Sequence, residues 1–298
     1  MPFSTFVKPS FFYNCSGKSD TCCFVLSGYK EYLWDTVFDR LKRFVPENVD
    51  VCIVSSGLFS EKLYAIAKEN KWSYLCTKRN SVTLAMNTAI RAFPRVENIY
   101  KVDEDIFLTR NFFTKLRECY ARCEKESDYF PAFVAPLIPV NGYGHLRILT
   151  HYGLVEEYAS LFEKPRYTVG GDRMIEGNSE SAIYMWKEGG IPHIDILDAE
   201  LGEKEFSFTP CPIRFSIGAI FFKRSLWEEM KYFQVDRTTG LGEDEIQLCS
   251  LRMFPSRAII VCENTAVGHL SFGPQNAAMK EYFLSQPERF GIAAQGRV

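Results

Sequence analysis

Three carboxylates in a row, Asp103, Glu104 and Asp105, interrupt an apolar-leaning run in NIYKVDEDIFLTRNFF (98–113). Neighbouring like charges repel, and carboxylates resist burial unless a partner meets them. In an extended chain Asp103 and Asp105 point to one side and Glu104, the spacer between them, to the other. Two carboxylates on one side either share a proton or hold a cation. Mg2+ and Mn2+ suit such a pair, because they take one or two carboxylates and fill the rest of their shell with substrate phosphates. A cation held there would bridge Asp105 to a diphosphate and neutralise charge on a departing phosphate. The ordinary alternative is an exposed acidic turn, since a bare D-x-D is common.

Two later segments carry further chemistry. LGEDEIQLC (241–249) sets Asp244 between Glu243 and Glu245 at the entry to a helical pattern; acids also favour any first helical turn. VGHLSFG places His269 after a strand-like run and beside Gly268, where backbone can approach a ligand closely. Imidazole is a reasonable ligand for Mn2+-like ions. The other histidines, His145, His151 and His193, lie in the middle of the chain.

What must position these groups is a series of alternating elements. Strand-like runs at 22–28, 49–57, 72–77 and 98–102 are separated by helical patterns at about 32–44, 58–70 and 81–93. This order predicts an α/β fold: crossover units and a mostly parallel central sheet flanked by helices. Ligands of such open sheets sit at the carboxyl ends of the strands, which gathers Ser27–Tyr29, Ser55–Gly57, Thr77–Asn80 and Asp103–Asp105 on one rim. Beyond it, 133–144 reads as a strand entering a glycine-rich loop, and 141–210 as a long irregular stretch. A strand running into a helix is expected at 213–230 and another strand at 257–264.

The run KRNSVTLAMNTAI…NIYKVDEDIFL resembles the GT-A glycosyltransferases of family two, which have an Asn-containing loop, a helix bearing A-x-N, and a strand ending in D-x-D. The matching residues are Asn80, Ala85, Asn87 and Asp103-Glu104-Asp105. Ser81 and Val82 stand where the family often has Gly, and Met86 where it often has Arg. The resemblance implies a GT-A (Rossmann-like) fold and transfer of a sugar from a nucleotide-diphosphate sugar, UDP- or GDP-linked, to a hydroxyl of a carbohydrate or glycoconjugate acceptor. It implies inversion by single displacement, with Asp244 in the family's E-D motif as the base. Mn2+ or Mg2+ would be held by Asp105, Asp103 and His269. Donor contacts would come from Ser27, Tyr29, Ser56, Arg79, Asn87, Asp103 and Glu104. Trp186 and Trp227 are candidate sugar platforms, Gly218 a point of close approach, and Asp172 and Arg173 candidate lid residues. The resemblance covers roughly 20–125 well and 213–272 more loosely, and divides one 298-residue domain into a donor half, 20–125, and an acceptor half, 126–298, with an insertion around 141–210.

Composition narrows the alternatives. The chain is 46% hydrophobic with a formal net charge of −2, which gives no electrostatic footprint for nucleic acid. Pro2 and Pro9 break the apolar N-terminus, and no uncharged run reaches the roughly 18 residues of a membrane span, so the expectation is a cytoplasmic protein. Several of the ten cysteines fall inside strand-like runs and read as buried small hydrophobes. A nucleotidyltransferase of related fold would carry a Gly-rich basic loop after the first strand, where SGYKEY has one Gly. A glycoside hydrolase needs two carboxylates but no cation. A binding module that has lost catalysis is the non-enzymatic alternative.

Overall fold

A computed structural model describes residues 4–169, 173–186, 191–235, 248–249 and 256–293. A short β1 (Phe11–Tyr13) precedes four strands that alternate with helices: β2 (Thr21–Leu26), α1 (Trp34–Phe44), β3 (Asp50–Ser56), α2 (Glu61–Asn70), β4 (Ser73–Thr77), α3 (Val82–Ala92) and β5 (Asn98–Asp103). Helix starts follow local chemistry. The Ser60 and Ser81 hydroxyls accept from the Leu63 and Leu84 amides and so cap α2 and α3. In α1, Val37, Phe38 and Leu41 recur at three-to-four spacing and are buried in the core.

After β5 come β6 (Ile106–Phe107), α4 (Phe112–Glu126), β7 (Phe130–Leu137), β8 (Phe208–Pro210), β9 (Ala219–Lys223), β10 (Arg257–Ala266) and β11 (Gly268–His269). Nine strands form one sheet in the order β1-β4-β3-β2-β5-β9-β7-β10-β8, and β11 pairs β6 separately. β4, β3, β2 and β5 run parallel, whereas β9 is antiparallel to both β5 and β7. The expected α/β architecture is therefore present, as a mixed, mostly parallel sheet.

The strand order fixes where a ligand can sit. From β2 the chain builds outward through β3 to β4, then crosses back to lay β5 on the other side of β2. Connections leave the carboxyl ends of β2 and β5 in opposite directions, and a crevice opens between them. The register pairs Leu26 with Asp103, so Ser27 and the acidic run flank that crevice.

The expectation of irregular chain at 141–210 is corrected. That stretch holds α5 (Gly144–Tyr152), α6 (Val155–Leu161), α7 (Met174–Gly177), α8 (Ser179–Tyr184) and α9 (Ile194–Gly202). None exceeds nine residues, too short for a helical period to stand out against Gly and charge. The glycine that opens α5 is required sterically: a Cβ on Gly144 would meet the Ile138 carbonyl oxygen at 2.2 Å. β9 runs into α10 (Arg224–Glu229), and α11 (Asn276–Ser285) follows β11. No helix among the described residues is long and apolar enough to cross a membrane.

Two buried charges tie this second half to the first. Arg40, fully buried on α1, donates from Nε to the Leu108 carbonyl at 2.7 Å and from Nη1 to the Phe290 and Gly291 carbonyls, and it pairs with Asp195 on α9. One guanidinium thus joins the segment after the acidic run to α9 and to the turn at Phe290–Gly291. Asp198, also on α9 and buried, accepts from the Thr265 hydroxyl at 2.7 Å and from the Ala266 and Asn111 amides.

Burial pushes the Asp198 carboxyl up to about 6, against the opposing pull of those hydrogen bonds. An unfolded Asp releases its proton near pH ~3.9. Between those values the folded state binds more protons, so this group's contribution to stability is full below the window and is lost as pH rises through it. The wild-type stability minus that of Asp198→Asn, from urea unfolding at each pH, should therefore be roughly 2–3 kcal/mol larger near pH 4 than near pH 7. A difference that stays flat with pH would contradict the assignment.

Candidate functional site

β5 ends at Asp103, and Glu104 and Asp105 form a turn before β6. The extended alternation expected from the sequence does not hold there, and the three carboxylates point to three different partners. Asp103, at the rim with 36% of its side chain exposed, accepts from the Lys101 ammonium at 2.7 Å. Lys101 is itself buried and also donates to the Ile217 carbonyl at 3.0 Å. The Asp103 amide donates to the Gly218 carbonyl at 2.8 Å. A Cβ on Gly218 would lie 3.1 Å from Ile106 Cδ1, so the expected close approach is made by this protein's own turn.

Glu104 turns inward. Its carboxylate accepts from the Gly28 amide at 2.9 Å, the Tyr29 amide at 3.0 Å and the Trp34 indole at 2.7 Å. Expected among the donor contacts, it is engaged by the protein's own N–H groups. These inward bonds, in a residue only 8% exposed, make it a clamp between the β5 turn and the β2–α1 turn. A buried carboxylate is tolerated because two backbone N–H groups and an indole replace its water.

Asp105 meets Lys30 and His269. Lys30 Nζ lies 2.5 Å and His269 Nε2 3.4 Å from the same Asp105 oxygen, Oδ2. β11 sets the imidazole there by pairing His269 opposite Ile106, while the Leu270 amide donates to the Asp105 carbonyl at 3.1 Å. Burial alone would raise the Asp105 carboxyl, but His269 and Lys30 outweigh it and hold it far below the usual carboxylate range. Burial would likewise pull Lys30 down, and Asp105 outweighs it, so the ammonium stays charged.

The other rim loops are joined to one another. The Tyr29 hydroxyl donates to the Ser56 carbonyl at 2.7 Å, while the Tyr29 residue remains 58% exposed. Ser56 Oγ accepts from the Ser81 amide at 2.6 Å and donates to Asn80 Oδ1. Gly57 sits at φ +83°, and a Cβ there would be 2.6 Å from Asn80 Cβ, so the loops after β3 and β4 touch. The Arg79 backbone belongs to the same loop, its carbonyl accepting from Thr77 Oγ1 at 3.1 Å. The Ser27 hydroxyl is buried and has no hydrogen-bond partner among the described residues.

Three expectations are redirected. Asn87 is fully buried, giving its amide hydrogens to the Thr5 and Phe233 carbonyls and its oxygen to the Trp227 indole and the Phe233 amide. It therefore braces α3 against the chain on either side and has no group left for a donor sugar. Trp227 packs on Phe6 and Tyr232, and Trp186 on Phe107 and Phe290. Both are core residues, not sugar platforms. A Cβ on Gly268 would meet Trp186 Cη2 at 2.3 Å, so that glycine makes room for the indole. Asp244, with Glu243 and Glu245, lies outside the described residues, as does Asp172; Arg173 precedes α7.

The expected cation set of Asp103, Asp105 and His269 is not arranged as a ligand cage. Asp103 is paired with Lys101, and Asp105 with Lys30. Among the described residues no group of three or more His, Cys, Asp and Glu side chains is placed to hold a metal ion. Lys30 and Lys101 are the residues that sequence reasoning missed. Lys101 sits two before Asp103, on the same side of a strand, a spacing that could have flagged it.

Removing the clamp tests this geometry. Glu104→Ala leaves the buried Trp34 indole and the part-buried Gly28 and Tyr29 amides unpaired and should lower unfolding free energy by about 2–4 kcal/mol in urea titrations. A loss within about 0.5 kcal/mol, the range of ordinary surface changes, would mean that the two turns do not depend on it.

No family model matches the chain, and no curated protein matches it. Among solved structures it is similar to GalNAc-T7, crystallised with UDP, GalNAc and Mn2+, at 13% identity over 91% of this chain and 52% of that one, with a TM-score of 0.45. It is also similar to S. aureus TarS 1-349, at 12% identity over 89% of this chain and 64% of that one, with a TM-score of 0.45. A second structure of TarS 1-349, in complex with UDP, gives 11% identity and a TM-score of 0.44. This chain therefore spans only 52% and 64% of the lengths of the GalNAc-T7 and first TarS structures.

Proposed function

We propose that the protein is a glycosyltransferase of the GT-A type, moving a sugar from a nucleoside-diphosphate donor to a hydroxyl of a carbohydrate or glycoconjugate. The observation that carries this reading is the convergence of polar and charged groups on the switch-point crevice between β2 and β5. There the exposed Tyr29 ring offers a stacking face for a base, and the buried, unpartnered Ser27 hydroxyl offers a hydrogen bond. Asp103, partly exposed at the strand end, suits a ribose hydroxyl. Ser56, Asn80 and Arg79 would border the nucleotide from the adjoining loops.

In the reaction so proposed, the acceptor oxygen attacks the anomeric carbon as the bond from that carbon to the phosphate oxygen breaks. The bonding pair leaves with the nucleoside diphosphate, and the acceptor proton passes to a carboxylate. Asp244 is the proposed base, and attack from the face opposite the leaving group inverts the anomeric centre. The Lys30 ammonium provides positive charge beside Asp105.

Asp244→Asn should lower transfer by about 10²–10⁴-fold, the usual weight of a general base, and leave donor affinity unchanged. The check is a thermal-shift panel of UDP-, GDP-, CDP- and dTDP-sugars, followed by turnover with the donor that stabilises most. Undiminished transfer by Asp244→Asn would contradict the base assignment. No shift with any donor would contradict the donor site.

A further inference from the structure

We propose that Lys30 is the resident cation of this site, so that its ammonium, not a divalent ion, meets the donor's diphosphate. The inference rests on the nucleotide-sugar reading above and concerns how that site handles charge. A departing nucleoside diphosphate carries several negative charges, and some positive partner must face them. In the described site the position beside Asp105 Oδ2 is taken by Lys30 Nζ, at 2.5 Å.

Three features set this lysine apart from a solvated surface residue. Its backbone is fixed: Glu104 grips the two preceding amides, those of Gly28 and Tyr29, and the Lys30 carbonyl accepts from the Leu33 amide at 2.9 Å. Its side chain is 24% exposed, enough to meet a ligand at the crevice while the stem stays packed. Its ammonium has three N–H donors, and Asp105 is its one acceptor among the described residues. Two donors therefore remain for phosphate oxygens, which lysine binds as a compact point charge.

The remaining carboxylate and imidazole then have a positioning role. Asp105 aims the ammonium, and His269 supports Asp105 from the β11 side. Without Lys30, Asp105 and His269 would be left as two free donors, a set a transition ion can join with water and phosphate. Substituting Lys30 should therefore expose a dependence on metal that the natural protein lacks.

Calorimetric titration of UDP, GDP, CDP and dTDP into the full chain, in EDTA and in MnCl2, reads this directly. For the wild type, the nucleotide that binds should do so with affinities within about threefold of each other in the two buffers, less than the ~0.7 kcal/mol that would separate them more. Lys30→Met should weaken binding in EDTA by at least about tenfold, with Mn2+ restoring most of it, and Lys30→Arg, which keeps the charge, should stay near wild type in EDTA. Thermal unfolding of both variants checks that they fold. Wild-type binding seen only with Mn2+, or a folded Lys30→Met that binds like wild type in EDTA, would overturn the proposal. If no nucleotide binds in either buffer, the nucleotide-sugar reading falls and takes this one with it.

Discussion

The site depends on one buried carboxylate, Glu104. Its bonds to the Gly28 and Tyr29 amides and to the Trp34 indole lock the turn after β5 onto the turn after β2, the two turns on either side of the switch point. The Lys30–Asp105 pair follows from that junction. Lys30 is delivered to Asp105 because the two residues before it are held, and Asp105 is in place because the residue before it does the holding. A hydrogen-bonded charge in a partly dry setting is strongly directional, and an unsatisfied one is costly, so this junction tolerates little slack.

The same junction explains how three consecutive acids coexist at the edge of an apolar sheet. Each is neutralised separately: Asp103 by Lys101 from within its own strand, Glu104 by backbone and indole N–H groups, Asp105 by Lys30 and His269. The turn at Glu104–Asp105 is what allows it, since an extended chain would have set two carboxylates side by side. β11 supports the turn from the second half of the chain through His269 against Asp105, and Asp198 ties α9 to the end of β10 and the start of α4.

Much of this frame was legible in the residues. The alternation of apolar runs and helical periods from Thr21 to Asp103 gives the parallel sheet, and with it the rim that gathers Ser27, Tyr29, Ser56 and Asp103–Asp105. What was not legible depends on contacts between residues distant in sequence. Lys30 and Asp105 are 75 residues apart, and nothing in SGYKEY marks the lysine that will face a carboxylate. Asn87 matches a donor-contact motif in type and spacing, yet Phe233, Thr5 and the Trp227 indole close over it and take its hydrogen bonds. Trp186 and Trp227 carry faces that suit sugars and are spent on the core instead. The helices of 141–210 are too short to announce themselves by period.

The proposed function requires a nucleotide to seat on the crevice between β2 and β5. Hydrogen–deuterium exchange with and without saturating UDP or GDP tests it most directly, because backbone amides report where a ligand orders the chain. Slowed exchange is expected in peptides carrying Ser27–Lys30 and Asp103–Asp105, the two turns that Glu104 joins. Protection confined to other segments, with those two turns exchanging as in the free protein, would contradict it.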